Sequence, residues 1–408
     1  MTLIECYDHE PVGNVMACLR LQPDRVIYLG DSSRMEQPLK RLLKFLSDRN
    51  QTVHMVRCHV NLEDVQDIVA ALEEIIAGGD QIVVDLSGGP EQVVLAVGLV
   101  LAGLDESARE RVDVQKFDPL EGTVLDADGN GWVVPGEPVS LTVGEVIALH
   151  GGVVHPRTEQ PALYYQPSDL EQLWRTVCAD CRDWNRESMV LNEFESRCES
   201  EMEIELHLDA IADGISRFQE KEQRLRRFLQ KLDRCGVIED RSSAGVLRYS
   251  YRDPLLRFCA QKAGNVLETK ALLEARAVKK DGKPYFSACV MSVNIDWDGV
   301  LNDPAERIPE TRNEIDLILV RGMVPLFVSC KNGDVGEEEL YKLHTVAQRF
   351  GGIHARKMLI ITELERSRPN SNRAFLQRAK DMDIYVVEDA AVLTGSGWRQ
   401  AFVEAMEG

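Results

Sequence analysis

The sequence predicts an α/β protein in which two different sheets are joined by a mostly helical segment. Three observations predict this class: short Val- and Ile-rich runs alternate with helical patterns over residues 1–117, helical spacing dominates residues 170–259, and strands in a mixed order follow residue 262. A chain of 408 residues is long enough for two or three domains with separate cores. Its composition, 44% hydrophobic and 28% charged, is that of a globular protein.

The N-terminal segment is predicted to form a Rossmann-like open sheet with a βαβαβαβαβ order. Its strand candidates lack polar alternation, as expected for parallel strands that helices cover on both faces. The segment after them, LEGTVLDADGNGWVVP, is predicted to be a hairpin because DADGNG supplies turn residues. The five strand candidates are TLIECY, RVIYLG, TVHMVRC, QIVVDLS and VDVQKF.

Three loops follow strands of this sheet at the edge where open α/β sheets bind ligands. In the loop after the fourth strand, Ser87 offers a hydroxyl, and Gly88 and Gly89 offer unhindered amides at a helix N-terminus, which favours phosphate. Gly-Gly turns before helices also occur without any ligand, and neither a GxGxxG fingerprint nor a P-loop is present. The candidate ligand-binding residues in the three loops are Asp8, His9, Asp31, Ser32, Ser33, Ser87, Gly88, Gly89 and Pro90.

Residues 168–260 are predicted to form a helical connector that ends in a winged-helix-like arrangement. The helix RFQEKEQRLRRFLQKLDR is followed by a Gly break, a short strand, a turn and a second strand. A basic stripe along this helix is either a phosphate-contacting face or, as we favour, a solvated face of mixed charge. Cys178 and Cys181 form a lone CxxC, which is more typical of structural thiols than of a zinc site with Cys198 and His207. The stripe contains Arg217, Lys221, Arg224, Arg227, Lys231 and Arg234.

Residues 261–408 carry the candidate catalytic residues. The strand pair RNEIDLILVR and VPLFVSCK contains Asp316, Ser329 and Lys331, and its tight turn is expected to bring Asp316 close to the end of the second strand. Glu268, in the first turns of the preceding helix, is expected to approach the same point. Two carboxylates, a hydroxyl and an ammonium suit metal-assisted hydrolysis of a phosphodiester, although a charge at a strand end is by itself usually only solvated.

The order helix-Glu, strand-Asp, strand-(acid)-x-Lys resembles the PD-(D/E)XK nuclease fold, and GNVLE, NEIDLILV, VSCK and ELYKLHTVAQRFGG carry the similarity. With DLSGG in the N-terminal segment, the chain resembles the CRISPR-associated Rossmann-fold (CARF) nucleases of type III CRISPR systems. The resemblance implies a CARF sensor at residues 1–150 and a restriction-endonuclease-like domain at residues 261–408. It also implies a homodimer that binds a cyclic oligoadenylate, with cyclic tetra-adenylate expected as the activator, and metal-dependent cleavage of DNA or RNA.

One position departs from the family motif, which has Glu or Asp two residues before the lysine where this sequence has Ser329. A hydroxyl is a poorer ligand for a divalent cation than a carboxylate. The metal ligands are therefore expected to be Glu268, Asp316 and the backbone carbonyl of Cys330. From the same substitution we expect a modest metal affinity and a preference for Mn²⁺ over Mg²⁺.

A formal net charge of −20 argues against a permanent, high-affinity duplex binder, but not against an enzyme that contacts nucleic acid through a local basic surface. The sequence has no long apolar run and no signal-like start, so we expect a cytoplasmic protein without a membrane span. Two other functions stay open. One is a CARF-type transcription regulator that reads DNA through the winged-helix segment and has an inactive nuclease-like domain; the other is a repair or restriction-type nuclease that responds to another nucleotide.

Overall fold

The computed structural model of the chain describes residues 1–7, 10–126, 136–155, 167–301, 312–364 and 369–408. Two six-stranded sheets with surrounding helices occupy the N- and C-terminal parts of the chain, and a three-stranded sheet lies between them in sequence. The predicted fold class, a Rossmann-like sheet followed by a helical segment and a second, mixed sheet, is confirmed. No helix in these ranges is both long and apolar enough to cross a membrane.

The N-terminal sheet contains all five predicted strands and one more. Its strands are β1 (Thr2–Cys6), β2 (Arg25–Gly30), β3 (His54–His59), β4 (Ile82–Asp85), β5 (Val112–Asp118) and β6 (Thr123–Asp126). They lie in the order β3-β2-β1-β4-β5-β6, and every neighbouring pair is parallel except β5 and β6. The DADGNG turn of the predicted hairpin continues beyond Asp126 and lies outside the described residues.

Helices cover both faces of this sheet. Leu3 and Ile4 on β1 point to opposite faces and are both fully buried, which explains why this strand shows no polar alternation. The helices and the short strand that follows them are α1 (Gly13–Leu21), α2 (Ser32–Asp48), α3 (Val65–Ala77), α4 (Glu91–Gly103), α5 (Glu106–Arg109), α6 (Val143–Leu149) and β7 (Val153–Val154).

The connector has the helix–strand–helix–helix–strand–strand order of a winged helix. Its three strands are antiparallel and lie in the order β8-β10-β9. Its elements are α7 (Pro167–Ala179), α8 (Cys181–Glu195), β8 (Glu203–His207), α9 (Leu208–Ile211), α10 (Phe218–Arg234), β9 (Ile238–Asp240), β10 (Val246–Tyr251) and α11 (Pro254–Gln261).

The basic stripe on α10 is partly neutralised by the neighbouring helix. Lys221 pairs with Glu193 at 2.7 Å and Lys231 pairs with Glu187 at 2.5 Å, and both glutamates belong to α8. Ammonium groups held by carboxylates are poorly placed to contact phosphates. These pairs favour the interpretation of a mixed-charge face and weaken the support for the transcription-regulator alternative.

The C-terminal sheet is mixed, as predicted. Its order is β17-β16-β15-β14-β13-β7, with antiparallel pairing from β7 to β15 and parallel pairing from β15 to β17. The edge strand β7 was not predicted, because two residues are too few to show a pattern. The remaining elements are α12 (Asn265–Arg276), β11 (Lys279–Lys280), β12 (Lys283–Pro284), β13 (Ala288–Asp296), β14 (Arg312–Arg321), β15 (Val324–Lys331), α13 (Glu337–Gly351), β16 (Arg356–Ile361), α14 (Pro369–Asp381), β17 (Ile384–Val387) and α15 (Gly395–Glu407).

The turn between β14 and β15 docks onto the N-terminal part of the chain. The amide of Met323 donates to the carbonyl of Pro119 at 2.8 Å, and the amide of Leu141 donates to the carbonyl of Gly322 at 2.9 Å. Gly322 has a φ of +56°, and a side chain there would lie 2.6 Å from the Pro119 carbonyl oxygen. The turn of the candidate catalytic hairpin is therefore fixed by the N-terminal part of the chain.

Candidate functional site

The end of β15 brings three of the four predicted catalytic residues together. Asp316 Oδ2 on β14 accepts hydrogen bonds from the amide of Cys330 at 2.6 Å and from Ser329 Oγ at 3.2 Å. The Asp316 carboxylate thus accepts a hydrogen bond from a backbone amide at the point where β14 and β15 stop pairing. Burial raises its pKa, against the opposing effects of Lys331 and of the Cys330 amide.

A second carboxylate, that of Glu339 on α13, reaches the same strand end. Ser329 Oγ donates to Glu339 Oε1 at 2.8 Å, and Lys331 Nζ lies 3.2 Å from the same oxygen. Sequence reasoning missed this residue, because Glu337, Glu338 and Glu339 together look like the acidic first turn that helices favour. The sequence feature that could have identified Glu339 is the short loop between Lys331 and the start of α13.

Glu268 approaches the site from α12, in the first turn of that helix. Burial raises the pKa of its carboxyl to about 8, and the negative charges of Asp316 and Glu314 add to this effect. Glu268 and Asp316 are therefore close enough to repel each other. Without a bound cation, protonation of Glu268 near neutral pH removes this repulsion.

Lys331 is the cation of the cluster. Burial alone would lower the pKa of its ammonium, but the carboxylates of Asp316 and Glu339 outweigh burial and raise it. The lysine therefore stays charged across the physiological range. Its amine is a donor and a positive charge, and it is not available as a base.

A polar network fixes the backbone just after Lys331. The side-chain amide of Asn332 donates to Asn185 Oδ1 on α8 at 2.7 Å and to the carbonyl of Ala263, just before α12, at 3.1 Å. Thr362 Oγ1 donates to Asn332 Oδ1 at 2.6 Å, and the Thr362 amide donates to the carbonyl of Lys331 at 3.0 Å. The connector, the start of α12 and the ends of β15 and β16 are thus held in one arrangement.

The donor chemistry of the cluster fits a hard divalent cation, since its acidic groups are carboxylates. Burial raises the pKa values of Glu268 and Asp316, so it disfavours the charged forms of both carboxylates. A divalent cation would stabilise those charged forms. Within the described ranges no group of three or more His, Cys, Asp or Glu side chains is arranged to hold a metal.

Two cavities in the described part of the chain lie away from this cluster. A cavity of about 870 Å³ is lined by Arg356, Lys357 and Tyr385, at the start of β16, whereas Lys331 pairs with Ile361 at the end of that strand. A second cavity, of about 370 Å³, lies where α13 meets the N-terminal part of the chain. Neither cavity includes the candidate catalytic residues.

The loop after β4 is shaped by its own side chains. Ser87 Oγ donates to Asp85 Oδ1 at 2.6 Å and accepts from the amide of Phe117 at 2.7 Å, so the hydroxyl is already used. Among described residues, the amides of Gly88 and Gly89 have no hydrogen-bond acceptor. Pro90 is the N-cap residue of α4. The groups that this loop offers to an anion are therefore backbone amides.

The loop after β2 is also held by hydrogen bonds from its own side chains. Asp31 caps α2 by accepting from the amide of Ser33 at 3.0 Å and from its hydroxyl at 2.7 Å. The amide of Ser32 donates to His59 Nδ1 at 3.3 Å. Asp8 and His9, the predicted ligand residues of the first loop, lie outside the described residues.

A pair of buried carboxyl groups lies beneath the Ser87 loop. Glu5 on β1 and Asp85 on β4 are directly paired in the strand register, and both are 1% exposed. Among described residues, Glu5 Oε1 and Asp85 Oδ2 have no hydrogen-bond partner. Burial raises the pKa of Asp85 to about 6, and burial together with the Asp85 charge raises that of Glu5 well above its usual value.

We expect this pair to make the protein less stable as the pH rises. The folded state keeps protons on this pair that the unfolded chain releases above about pH 4, so the contribution of the pair to stability is largest at low pH and falls as pH rises through the folded pKa values. Glu5→Gln removes one charge and can donate to Asp85. Its melting temperature should exceed that of the wild type by about 2 °C or more at pH 8, and by much less at pH 5. Thermal unfolding at both pH values measures this; an equal shift at both would contradict it.

Helix α13 connects the candidate site to the N-terminal part of the chain. Glu10, in the loop after β1, accepts from the amide of Ile353 at 3.0 Å, just past the end of α13, and from the amide of Val12 at 3.2 Å. His150 Nε2 lies 3.1 Å from the same carboxylate. A side chain on Gly352 would lie 1.9 Å from Glu10 Oε2, so this contact requires glycine. One end of α13 thus meets a strand-end loop of the first sheet, and its other end carries Glu339.

No protein-family model matches the sequence, and no match is found among curated proteins. Among solved structures, the whole chain is similar to the crystal structure of protein VC1899 from Vibrio cholerae, with a TM-score of 0.68, 17% identity and coverage of 97% of that chain. The whole chain is also similar to Can2 from Sulfobacillus thermosulfidooxidans, solved in complex with cyclic tetra-adenylate, with a TM-score of 0.62, 15% identity and coverage of 97% of that chain. The chain shares the fold of these two proteins over its full length.

Proposed function

We propose that the protein is a metal-dependent nuclease of type III CRISPR defence. Its activator is a cyclic oligoadenylate, cyclic tetra-adenylate. The observation that carries this proposal is the meeting of Asp316, Ser329, Lys331 and Glu339 at one strand end. The charge of Asp316 also acts on the Glu268 carboxyl of α12. The chain that carries this cluster has the full-length fold of a protein solved with cyclic tetra-adenylate. An acidic overall charge suits an enzyme that does not remain on nucleic acid when it is off.

The strand-end residues suit hydrolysis of a phosphodiester, in which water attacks phosphorus and the bond to the leaving oxygen breaks. When bound, Mg²⁺ or Mn²⁺ polarises the phosphate and lowers the pKa of water. Glu268 and Asp316, with the Cys330 carbonyl, are the proposed ligands. The ammonium of Lys331 stabilises the negative charge that develops on the phosphate oxygens.

The sensor role belongs to the loops at the carboxyl edge of the first sheet. The amides of Gly88 and Gly89 lie just before α4 without an acceptor in the described residues, which suits them to bind the phosphates of a cyclic oligonucleotide. Ser87 and Asp31 hold the backbone of their loops. In this proposal the side chains shape the loops and the backbone binds the ligand.

The proposed dimer forms through α4, the helix that follows the Ser87 loop. Val94, Leu95 and Leu99 form an exposed apolar stripe, and their exposed fractions are 56%, 56% and 50%. A second copy packed on this stripe would bury it and place two ligand loops side by side. A ring-shaped ligand would then contact both copies.

A charged residue in this stripe should separate the dimer. Leu95→Glu places a carboxylate at the centre of the proposed interface, where burial without a partner is strongly unfavourable. We expect the variant to sediment as a monomer at micromolar concentration, while the wild type sediments as a dimer. Leu43→Glu on α2, where the leucine is 43% exposed, is the matched control and should remain dimeric. A monomeric wild type, or a dimeric Leu95→Glu variant, would contradict the α4 interface.

Helix α13 is the proposed path from sensor to active site. A ligand that moves the loop after β1 would move Glu10, and Glu10 holds the end of α13 through Ile353. Because a helix is stiff along its axis, a displacement at that end reaches Glu339 at the other end.

The choice of substrate is tested with a panel of labelled nucleic acids. Single- and double-stranded DNA and RNA are incubated with the protein, cyclic tetra-adenylate, and either Mn²⁺ or Mg²⁺. We expect cleavage of at least one single-stranded substrate, faster with Mn²⁺ than with Mg²⁺. The absence of cleavage in every combination would overturn the proposed function.

A further inference from the structure

We propose that the cavity of about 370 Å³ at the junction of α2, α6 and α13 binds a phosphate dianion between Arg41 and Arg349. The ligand is inorganic phosphate or the phosphate group of a small phosphomonoester. The cavity is not lined by the Ser87–Pro90 loop or by the strand-end cluster around Lys331. The inference therefore does not depend on the proposed nuclease function.

Two guanidinium groups from different helices lie side by side at this cavity. Arg41 belongs to α2 and Arg349 to α13. A side chain on Gly151 would lie 2.6 Å from Arg41 Nη1 and 3.8 Å from Arg349 Nη2, so both guanidinium groups approach the same glycine. Two like charges at such a short separation repel each other. An anion that binds both groups would remove this repulsion.

No carboxylate neutralises the arginine pair within the described part of the chain. Arg349 donates to the carbonyl of His150 at 2.6 Å, which is a neutral acceptor, and Arg41 has no hydrogen bond or ion pair there. By contrast, Arg49 at the end of α2 forms an ion pair with Glu145 at 2.5 Å. The donors of Arg41 are therefore available to a ligand.

The charge of Glu10, the one acidic residue among the described residues that line the cavity, is already neutralised. Its carboxylate accepts hydrogen bonds from the amides of Val12 and Ile353, and His150 Nε2 lies 3.1 Å away. Burial would raise the pKa of Glu10, but the contacts with His150 and the two amides outweigh burial and lower it. His150 Nδ1 lies 2.8 Å from the Val146 carbonyl, so both ring nitrogens face acceptors and the ring carries both protons.

The charge and size of the cavity fit a phosphate dianion. The positive charge of His150 cancels that of Glu10, which leaves the two positive charges of Arg41 and Arg349. A guanidinium group offers paired N–H donors to two phosphate oxygens at once. The volume is within the range of small-molecule sites and exceeds that of phosphate alone, so the organic group of a monoester also fits.

The test measures phosphate binding to the full-length protein by calorimetry in a buffer that contains no other phosphate. The proteins are the wild type, Arg41→Gln, Arg349→Gln and the control Lys44→Gln. Lys44 also lies on α2, but its side chain is 80% exposed, pairs with Asp48 and does not line the cavity. Melting temperatures with and without phosphate verify folding. Arg41→Gln is the decisive variant, because Arg41 has no contact within the described residues to lose.

We expect inorganic phosphate to bind the wild type with a dissociation constant below about 1 mM, and each arginine variant to bind at least about 10-fold more weakly. Lys44→Gln should bind phosphate as the wild type does. Phosphate at about 100 times its dissociation constant should raise the melting temperature of the wild type by about 3 °C or more. The same concentration should raise that of Arg41→Gln much less.

Competition experiments identify the source of the phosphate. If AMP displaces inorganic phosphate, the site takes a phosphomonoester; if AMP does not, the site takes free phosphate. Both results agree with the proposal. Three results would overturn it: no phosphate binding by the wild type, equal binding by a folded Arg41→Gln variant, or displacement of phosphate by cyclic tetra-adenylate, which contains only phosphodiesters.

Discussion

Lys331→Ala is expected to slow cleavage by at least about 100-fold in a protein that remains folded, with little change in cyclic tetra-adenylate binding. The ammonium lies 3.2 Å from Glu339, and its pKa is raised above the usual lysine value, so a full positive charge is present where phosphate charge develops. Removal of one preorganised group of this kind typically costs about 10²- to 10³-fold in rate. Single-turnover cleavage with saturating activator measures the effect.

Lys342→Ala is the matched control, because Lys342 lies exposed on α13 and takes no part in the cluster. Its cleavage rate should equal that of the wild type. If a folded Lys331→Ala variant cleaves at the wild-type rate, the end of β15 is not part of the active site. Lys331→Arg should rescue the reaction only in part, because a guanidinium is larger and spreads its charge.

Gly89→Ala is expected to raise the concentration of cyclic tetra-adenylate needed for activation by about 10- to 100-fold. Gly89 has a φ of +86°, and a side chain there would lie 2.8 Å from the β-carbon of Cys6. The loop must therefore shift, and its amides lose their alignment with a phosphate. Hydrogen bonds to a charged group are worth about 1.5–3 kcal/mol, which corresponds to this range.

The comparison variant is Gly144→Ala on α6, where no described atom beyond the neighbouring backbone of the same helix lies within 4 Å of the added methyl group. It should activate at the wild-type concentration. Cleavage by Gly89→Ala at saturating activator should also approach the wild-type rate, because the catalytic cluster is on the other sheet. An unchanged activation curve for Gly89→Ala would exclude the Ser87–Pro90 loop as the ligand site.

Hydrophobic pattern was enough to predict the two sheets. Strands β1, β2 and β4 are rich in Val, Ile and Leu and are buried along almost their whole length, and burial of this kind produces a clear hydrophobic pattern in the sequence. Alternation within a strand also placed Ser329 and Lys331 on one face, and the two-residue turn at Gly322 set Asp316 opposite them. Local sequence patterns were therefore sufficient to predict this part of the candidate site.

Contacts between distant segments could not be predicted in the same way. Glu339 and Asn332 join the site through the path of a helix and a loop in three dimensions, and neither has a periodic signal. The Glu10–Ile353 contact joins residues 343 positions apart. Strand β7 is two residues long and is stabilised by its pairing with β13, which no local propensity encodes.

The most direct test of the account is the initial rate of cleavage of one labelled single-stranded substrate with Mn²⁺, measured with and without cyclic tetra-adenylate. Coupling between a ligand site and a distant active site is typically worth about 5- to 150-fold. We predict that the wild type cleaves on the order of 10-fold faster or more with the nucleotide, and that Lys331→Ala is slower than the wild type by at least about 100-fold when the nucleotide is present. Equal rates with and without the nucleotide, or cleavage by Lys331→Ala at the wild-type rate, would contradict this prediction.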